Sequence, residues 1–494
     1  MSNEDSPAPT ERSIVGVGTV RGAISGDVMI FRGIPYAAPP VGPRRFLPPQ
    51  PADPWKGVRE TRAIAPIAPQ TPSRVYRHMG PISAPQDEDC LSITVWMPAR
   101  GNGPFPVLVW LHGGGFLTGG GALPWYDGSE LARQGLVVVG VNYRLGALGF
   151  LSVPEALPGN LAILDEHAAL RWVKSHIADL RGDPDQVTVM GQSGGGHNIA
   201  SLLTMESAAT LFQRAILQSP PLGIGLIPAE TARLRAEAFL DALGFEAGTP
   251  DLLEKLRDVP LSEILRAQTK AAMTLGKMEF GDLRPPFLPT ALAPHEMGSD
   301  AFIDAAARGA AKCGIDVMIG WAREDANLFL AGHPLLAGIT AENLCAVARG
   351  ICGPDVGTML AEVHQRRSDG SPAQLFFDLV TDLNFRLPSL DIASKIAKAG
   401  GRVFVYQFDW RSPDAQLGAC HCIELPFMFG TLPAWRSAPL MAGADEAVTA
   451  PLSLDMVQRW AGFAKTGQPG FPAWHLERQP ILHFDAQSWL EGNA

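Results

Sequence analysis

The stretch that most limits what this chain can fold into is Val187-Thr-Val-Met-Gly-Gln-Ser-Gly-Gly-Gly-His-Asn-Ile-Ala200. The β-branched and apolar residues Val187 to Met190 predict a buried strand. Gly191, Gln192, Ser193, Gly194 and Gly195 then spell G-x-S-x-G, and Ile199, Ala200, Leu202 and Leu203 recur at helical spacing. Strand, tight turn and helix form the setting in which this motif presents a nucleophilic serine. Such a turn strains the serine backbone, so the positions two residues away must carry no side chain. Gly191 and Gly195 meet that demand. A Gly/Ser turn without chemistry is the alternative that the motif alone leaves open.

Other classes are less compatible with the composition. The 494 residues are 46% hydrophobic and 18% charged, which fits a globular chain with a large core. A formal net charge of -10 and the lack of a dense Lys/Arg run argue against a nucleic-acid partner. No run of 18 apolar residues suggests a membrane span, and the polar, acidic N-terminus does not resemble a secretory signal. The six cysteines (Cys90, Cys313, Cys345, Cys352, Cys420 and Cys422) are too sparse for a disulfide framework, so reduced thiols and a cytoplasmic location are expected.

Residues 1–12 are expected to be a disordered lead. Ile14 to Val20 and Val28 to Phe31 have strand character, and the Pro-rich run from Arg32 to Pro49 predicts an extended surface wrap. Phe105 to Leu111, Leu136 to Val141, Phe212 to Leu217, Asp316 to Gly320 and Arg402 to Phe408 predict further strands, the first of them buried on both faces. Asp165 to Leu180 and Leu452 to Lys465 predict helices, and short amphipathic helices are expected from 228 to about 275. The expected architecture is one α/β domain over 13–494. It has a central, mostly parallel sheet flanked by helices, and a helical insertion at about 228–310 capping the site.

A serine hydroxyl needs a base, and the base needs an orienting acid. The candidate base is His421, on a glycine-containing loop in Leu417-Gly-Ala-Cys-His-Cys-Ile-Glu. His475 and His483 are expected at the surface, and His364 in a solvated helix. Glu324 and Asp325 follow a buried strand and Gly320, where strand ends carry catalytic groups. Pattern alone does not decide between them. Either could be a solvated loop carboxylate whose loss costs less than about tenfold in rate. Leu111-His-Gly-Gly-Gly-Phe116 predicts an oxyanion hole, with N–H groups from Gly114 and Gly115 joined by that of Gly194. A phosphate-cradling loop is disfavoured by the absence of a Walker lysine or a dinucleotide fingerprint. Cys420-His421-Cys422 lacks the further ligands of a zinc site and predicts small packing residues around the base.

These stretches, with Phe31-Arg-Gly-Ile-Pro-Tyr-Ala, Glu88-Asp-Cys-Leu, Asn142-Tyr-Arg-Leu-Gly, Ile319-Gly, Arg323-Glu-Asp and Pro426-Phe, resemble the type-B carboxylesterases, the group that contains the cholinesterases. The resemblance runs from about residue 15 to 485. It implies the α/β-hydrolase fold, no metal or organic cofactor, and hydrolysis through an acyl-serine. It aligns the acid with Asp325, where the family usually has Glu. It also aligns Ala326, Gln192 and Gly194 with positions where the family usually has Gly, Glu and Ala. The family cysteine matched by Cys90 is disulfide-bonded in secreted members, and no cysteine precedes it here. The elbow and the loop around His421 are similar to those of bacterial carbamate-herbicide hydrolases. A small-molecule carboxylic ester is therefore the expected substrate, with carbamate or amide hydrolysis at the same site as the second reading. A non-catalytic cholinesterase-like binding domain is the remote third, because all three triad residue types are present.

Overall fold

The computed structural model of the chain describes residues 8–73, 75–153, 156–275, 281–291 and 298–492. Its main sheet is built from β1 (Ala8–Ile14), β2 (Gly18–Ser25), β3 (Val28–Pro35), β4 (Val58–Glu60), β5 (Ser92–Pro98), β6 (Phe105–Leu111) and β7 (Val137–Val141). A separate small hairpin joins β8 (Ser152–Val153) to β9 (Leu157–Pro158). The main sheet continues with β10 (Gly182–Gln192), β11 (Arg214–Gln218), β12 (Asp316–Ala322), β13 (Val403–Phe408), β14 (Ile481–Phe484) and β15 (Trp489–Glu491). The spatial order is β1-β2-β3-β5-β7-β6-β10-β11-β12-β13-β14-β15, with β4 beside β2. Pairing is parallel from β7 through β14. It is antiparallel towards both edges, apart from the parallel pair of β2 and β4.

Alternation along the strands divides the core in two. Val107, Val109 and Leu111 of β6, with Val187 and Val189 of β10, face one apolar cluster, which includes the helices Leu161–His176, Gly194–Leu203, Ser299–Lys312 and Leu387–Lys398. Leu108, Trp110 and Met190 face the other, against the helix Glu446–Thr466. Both faces are covered, which is why these strands read as continuous apolar runs rather than alternating ones. This is the α/β-hydrolase architecture expected from the sequence, with the elbow after β10 at the middle of the sheet.

Several boundaries differ from the sequence expectation. Residues 8–12, expected to be unstructured, pair with β2 as part of β1; residues 1–7 lie outside the described residues. The strand expected over Ile14 to Val20 is interrupted by a reversal, because Val17 N–H bonds Ile14 O at 3.0 Å and Gly16 adopts a φ of 75°. The helix expected from Asp165 to Leu180 begins at Leu161 and tightens into a 3-10 turn after His176. In the expected 228–310 insertion, Ala229–Leu243, Leu252–Asp258 and Leu261–Leu275 form the helices, while 276–280 and 292–297 lie outside the described residues. Ser299–Lys312 instead joins the layer flanking the sheet, burying Phe302, Ile303, Ala306 and Ala310. A second helical excursion, Leu344–Cys352, Val356–Arg366 and Pro372–Thr381, lies between β12 and β13 around its own apolar cluster, which includes Val363 and Phe376.

One buried ion pair ties the loop after β7 and the Pro-rich wrap to this frame. Arg144, just after β7, places Nε 2.8 Å and Nη2 2.7 Å from the two oxygens of Asp165 in the helix Leu161–His176. Its Nη1 donates to Leu47 O at 2.7 Å and so holds the Pro-rich wrap as well. The side chains are 4% and 0% exposed. Removing one partner of such a pair strands a charge in the interior. Asp165→Asn is expected to lower unfolding stability by about 3–5 kcal/mol, measured by urea denaturation; an unchanged midpoint would mean that solvent reaches the guanidinium.

Candidate active site

Ser193 stands between the last residue of β10 and the first of the helix Gly194–Leu203, with φ 55° and ψ -124°. A serine holds this strained conformation only where the surroundings enforce it. Its N–H donates to Gln218 O at the end of β11, at 2.8 Å. A Cβ on Gly191 would lie 2.5 Å from the Gly195 carbonyl carbon, and one on Gly195 would lie 2.1 Å from Leu111 O. Both glycines are therefore demanded by close backbone approach, as the motif predicts.

The glycine loop after β6 lies beside this elbow and is held from behind. Tyr143 Oη donates to His112 O at 2.5 Å, His112 Nδ1 donates to Gly113 O at 2.8 Å, and the two rings stack at 4.3 Å. Burial pushes the His112 imidazole down to about 4, against the opposite pull of its bond to Gly113 O, so it is neutral at pH 7. Gln70 braces the far end, accepting from Gly119 N and donating to Gly119 O, each at 2.8 Å. The N–H groups of Gly114, Gly115 and Gly194 donate to no acceptor among the described residues. Gly114 and Gly115 line the cavity that holds Ser193. An ideal Cβ on Gly194 would sit 3.5 Å from Phe116 N, so the helix start abuts the same loop. The two loop glycines differ in their tolerance. A Cβ on Gly114 would meet Thr118 O at 2.0 Å, whereas one on Gly115 would enter open space.

His421 and Asp325 meet on the opposite side. Nδ1 of His421 lies 2.7 Å from Asp325 Oδ1, and both side chains are buried. Asp325 Oδ2 accepts from Ala322 N at 2.9 Å and from Ser219 Oγ at 3.1 Å. With the acid so supplied with donors, the imidazole is the donor at Nδ1, and Nε2 carries the lone pair. Phe329 and Phe385 pack against the ring at 4.9 and 5.2 Å. Among the described residues the hydrogen-bond partner of Nε2 is the Gln192 amide nitrogen, 3.2 Å away, and not Ser193.

Glu324 is not the solvated neighbour that the sequence allowed. It is 6% exposed. One oxygen accepts from Arg367 and Arg411, each at 2.7 Å, and the other from Ala419 N at 2.8 Å. Its own N–H donates to Ala419 O at 2.9 Å. A Cβ on Gly418 would lie 2.2 Å from its carboxylate. Glu324 thus clamps the loop bearing Asp325 to the loop bearing His421. Ser219, Arg367 and Arg411 were invisible in the sequence because they come from remote segments; only the position of Ser219 at a strand end could have flagged it. His483 also departs from expectation. It is 4% exposed, with Nδ1 2.7 Å from Asp409, Nε2 3.0 Å from Glu491 and Trp489 stacked on its ring at 3.9 Å. The short edge strand β15 covers it, and it does not line the cavity containing Ser193. His364 and His475 are exposed, and Cys420 and Cys422 are buried thiols, as expected.

Ser193, His421, Gly114 and Gly115 open into a cavity of about 440 Å³. Tyr76, Met79, Leu117, Tyr126, Leu283 and Phe329 give it apolar walls, and the helix Leu261–Leu275 of the insertion contributes Gln268 and Ala272. Among the described residues no Asp, Glu, Lys or Arg lines it. The clamp generates a prediction. Glu324→Gln keeps the shape but leaves two arginines short of a charge and loosens both loops. It is expected to lower kcat on the order of 10–100-fold, since ångström-scale misplacement of a reacting group costs that much, with a lower thermal midpoint. Turnover within a factor of two of the parent would show that the clamp is dispensable.

The carboxylesterase family's sequence profile matches residues 10–489. A probable N-octanoylanthranilate hydrolase of Rhodococcus erythropolis is 37% identical over 97% of this chain and 98% of its own length. A phenmedipham hydrolase of Pseudarthrobacter oxydans is 36% identical over 92% and 91%. The solved structure of a PNB esterase superposes with a TM-score of 0.82 at 34% identity, covering 97% of both chains. With this sheet, this elbow and near-complete coverage, the chain belongs to the carboxylesterase family and is a carboxylic-ester hydrolase of the α/β-hydrolase fold.

Proposed function

We propose that Ser193 is the nucleophile, His421 the general base and then acid, and Asp325 the acid that orients it. We also propose that the N–H groups of Gly114, Gly115 and Gly194 receive the oxyanion. The observation that carries this is the Asp325–His421 bond of 2.7 Å opening into the same cavity as the strained Ser193. Ser193 Oγ attacks the ester carbonyl carbon while its proton passes to His421 Nε2. The carbonyl oxygen gains negative charge as the tetrahedral centre forms, and preorganised N–H donors meet it there, each typically contributing about 3–4 kcal/mol. Asp325 stabilises the imidazolium formed. As the centre collapses, Nε2–H protonates the leaving alkoxide and the acyl-serine remains. Water attacks it in a second cycle of the same transfers.

The substrate class follows from the walls. A cavity of this size with no charged side chain among its described lining residues favours a neutral carboxylic ester with an aryl or medium alkyl portion. An aryl carbamate is the second reading. It is neutral, and the similarity to a phenmedipham hydrolase supports it. An acylated anthranilate, the substrate type in the name of the Rhodococcus relative, carries a carboxylate that no Lys or Arg among the described lining residues would meet. Six unpaired cysteines support a reducing compartment, the cytoplasm.

The test is turnover of p-nitrophenyl esters of rising chain length and of phenyl carbamates, with intact-mass detection of the acyl or carbamoyl enzyme. Esters are expected to turn over fastest, with the added mass on Ser193. Ser193→Ala is expected to lower kcat on the order of 10⁶-fold, and Asp325→Asn roughly 10⁴-fold. Labelling at another residue would overturn the assignment. Gly115→Ala separates the oxyanion loop from the fold, because a methyl group there meets nothing and only the backbone, with φ 62°, is disturbed. Its kcat is expected to fall while KM stays within about twofold, as befits donors that act on the transition state. A change confined to KM would assign Gly115 to the entrance instead.

A further inference from the structure

The mechanism leaves one polar contact inside the site unused. Gln192, directly before the nucleophile, is 1% exposed and points its carboxamide at the base rather than towards solvent. Its Nε2 lies 3.2 Å from His421 Nε2. Its Oε1 accepts from Cys422 Sγ at 3.6 Å. A Cβ on Gly113 would stand 2.6 Å from that same oxygen, so the first glycine of the loop leaves the space the amide occupies. The loop of His421 and Cys422 on one side, and the space left by Gly113 on the other, thus hold the amide with its N–H₂ towards the imidazole. That orientation is also the one the chemistry selects. His421 donates through Nδ1 to Asp325, so Nε2 is an acceptor, and an amide oxygen turned towards it would set two lone pairs against each other.

We propose that Gln192 is a positioning residue for the general base, holding the Nε2 edge of His421 in the resting enzyme through a hydrogen bond that the Ser193 hydroxyl replaces when substrate enters. This rests on the assignment of His421 as the base. The bond occupies the lone pair that must take the serine proton, so it has two consequences. It keeps the ring in register while the cavity is empty. It also favours the neutral imidazole, because a donor at Nε2 is satisfied only while that nitrogen is unprotonated. A glutamine held this way serves the neutral base, whereas a carboxylate would serve the charged form and a thioether neither.

The other groups around the ring bear on its protonation as constant background. Asp325 faces Nδ1. Cys420 and Cys422 flank His421 in its own loop, and burial keeps both as thiols. Glu424, three residues on, is held up to about 8 by burial and by the nearby Asp325 charge, and is neutral at pH 7. Burial likewise holds the Tyr406 hydroxyl protonated near Asp325. The charge of Glu324 is met by Arg367 and Arg411. Phe329 and Phe385 are apolar.

The experiment is the pH profile of kcat/KM on a p-nitrophenyl ester for the parent enzyme, Gln192→Glu and Gln192→Met. For Gln192→Glu the acid limb is expected to move to higher pH by about one unit or more, the usual effect of an adjacent opposite charge on an imidazolium. For Gln192→Met, which removes the donor at similar length, a rise of about half a unit is expected, matching the loss of one ordinary hydrogen bond to the neutral form. A role confined to packing would lower activity at every pH and leave the limb in place, and that outcome overturns the proposal. If Gln192→Glu does not fold, the Met variant carries the same test. His421→Ala separates the two layers: if it retains activity, the assignment of the base fails; if it is inactive while the limb ignores Gln192, only the positioning role fails.

Discussion

The site depends on a backbone contact before it depends on any side chain. The elbow can turn as sharply as it does because Gly191 and Gly195 approach each other, and because Gly195 lies against the end of β6 where a methyl group would sit 2.1 Å from Leu111 O. That contact brings the nucleophile's turn against the neighbouring parallel strand, whose next residues are the glycine loop. The proposed nucleophile and the glycine loop proposed to receive the oxyanion therefore come from adjacent strands in register, and the sheet itself sets their separation. The unfavourable φ of Ser193 is maintained by packing on both faces of β10, where Val187, Val189 and Met190 are fully buried.

Asp325 and His421, the proposed acid and base, are fixed by different means. They sit on loops after β12 and β13, where regular hydrogen bonding has ended. The loops are joined to each other instead. Glu324 bonds the backbone of Ala419 in both directions, Asn327 donates to Leu417 O at 3.1 Å, and His421 N–H reaches Asp325 O at 3.3 Å. Arg367, from the helical excursion before β13, and Arg411 meet the Glu324 charge from outside. Because Glu324 adjoins Asp325, the clamp acts one residue from the group it supports. The loop of a long insertion thereby becomes nearly as determinate as a strand end.

The nucleophile and glycine loop were legible in the sequence because each is a continuous stretch whose spacing states its geometry. His421 could be picked out by its loop glycine and the apolar segment beyond it, but a rival was hidden. His483 looked exposed because the edge strand β15 that covers it is short and unremarkable as sequence, with Trp489 stacked on the ring. The choice between Glu324 and Asp325 was open for the same reason. Neighbouring residues on a tight turn point in opposite directions, and the partners that define those directions lie 43 to 96 residues away. The helical layer from Ser299 to Lys312 was absorbed into the insertion because its amphipathic period matches that of the cap helices; only the partner it packs against distinguishes the two.

Electrostatics gives the acid loop its final constraint. Two carboxyl groups, Asp325 and Glu424, are buried close together behind His421, at 0% and 1% exposure. Two unpaired charges there would repel each other across a region of low dielectric. The structure divides the roles through hydrogen-bond supply. Asp325 receives the Ala322 N–H, the Ser219 hydroxyl and the imidazole. Neither carboxyl oxygen of Glu424 finds a donor in hydrogen-bond geometry among the described residues, and desolvation raises this group to about 8. Glu424 therefore keeps its proton at pH 7, and His421 has one carboxylate behind it rather than two. Since Asp is one methylene shorter than the Glu usual at this place in the family, the short reach is met by the loop. Its carboxylate lies 2.7 Å from Nδ1 because the Ala419 and His421 backbones are drawn onto residues 324 and 325 themselves.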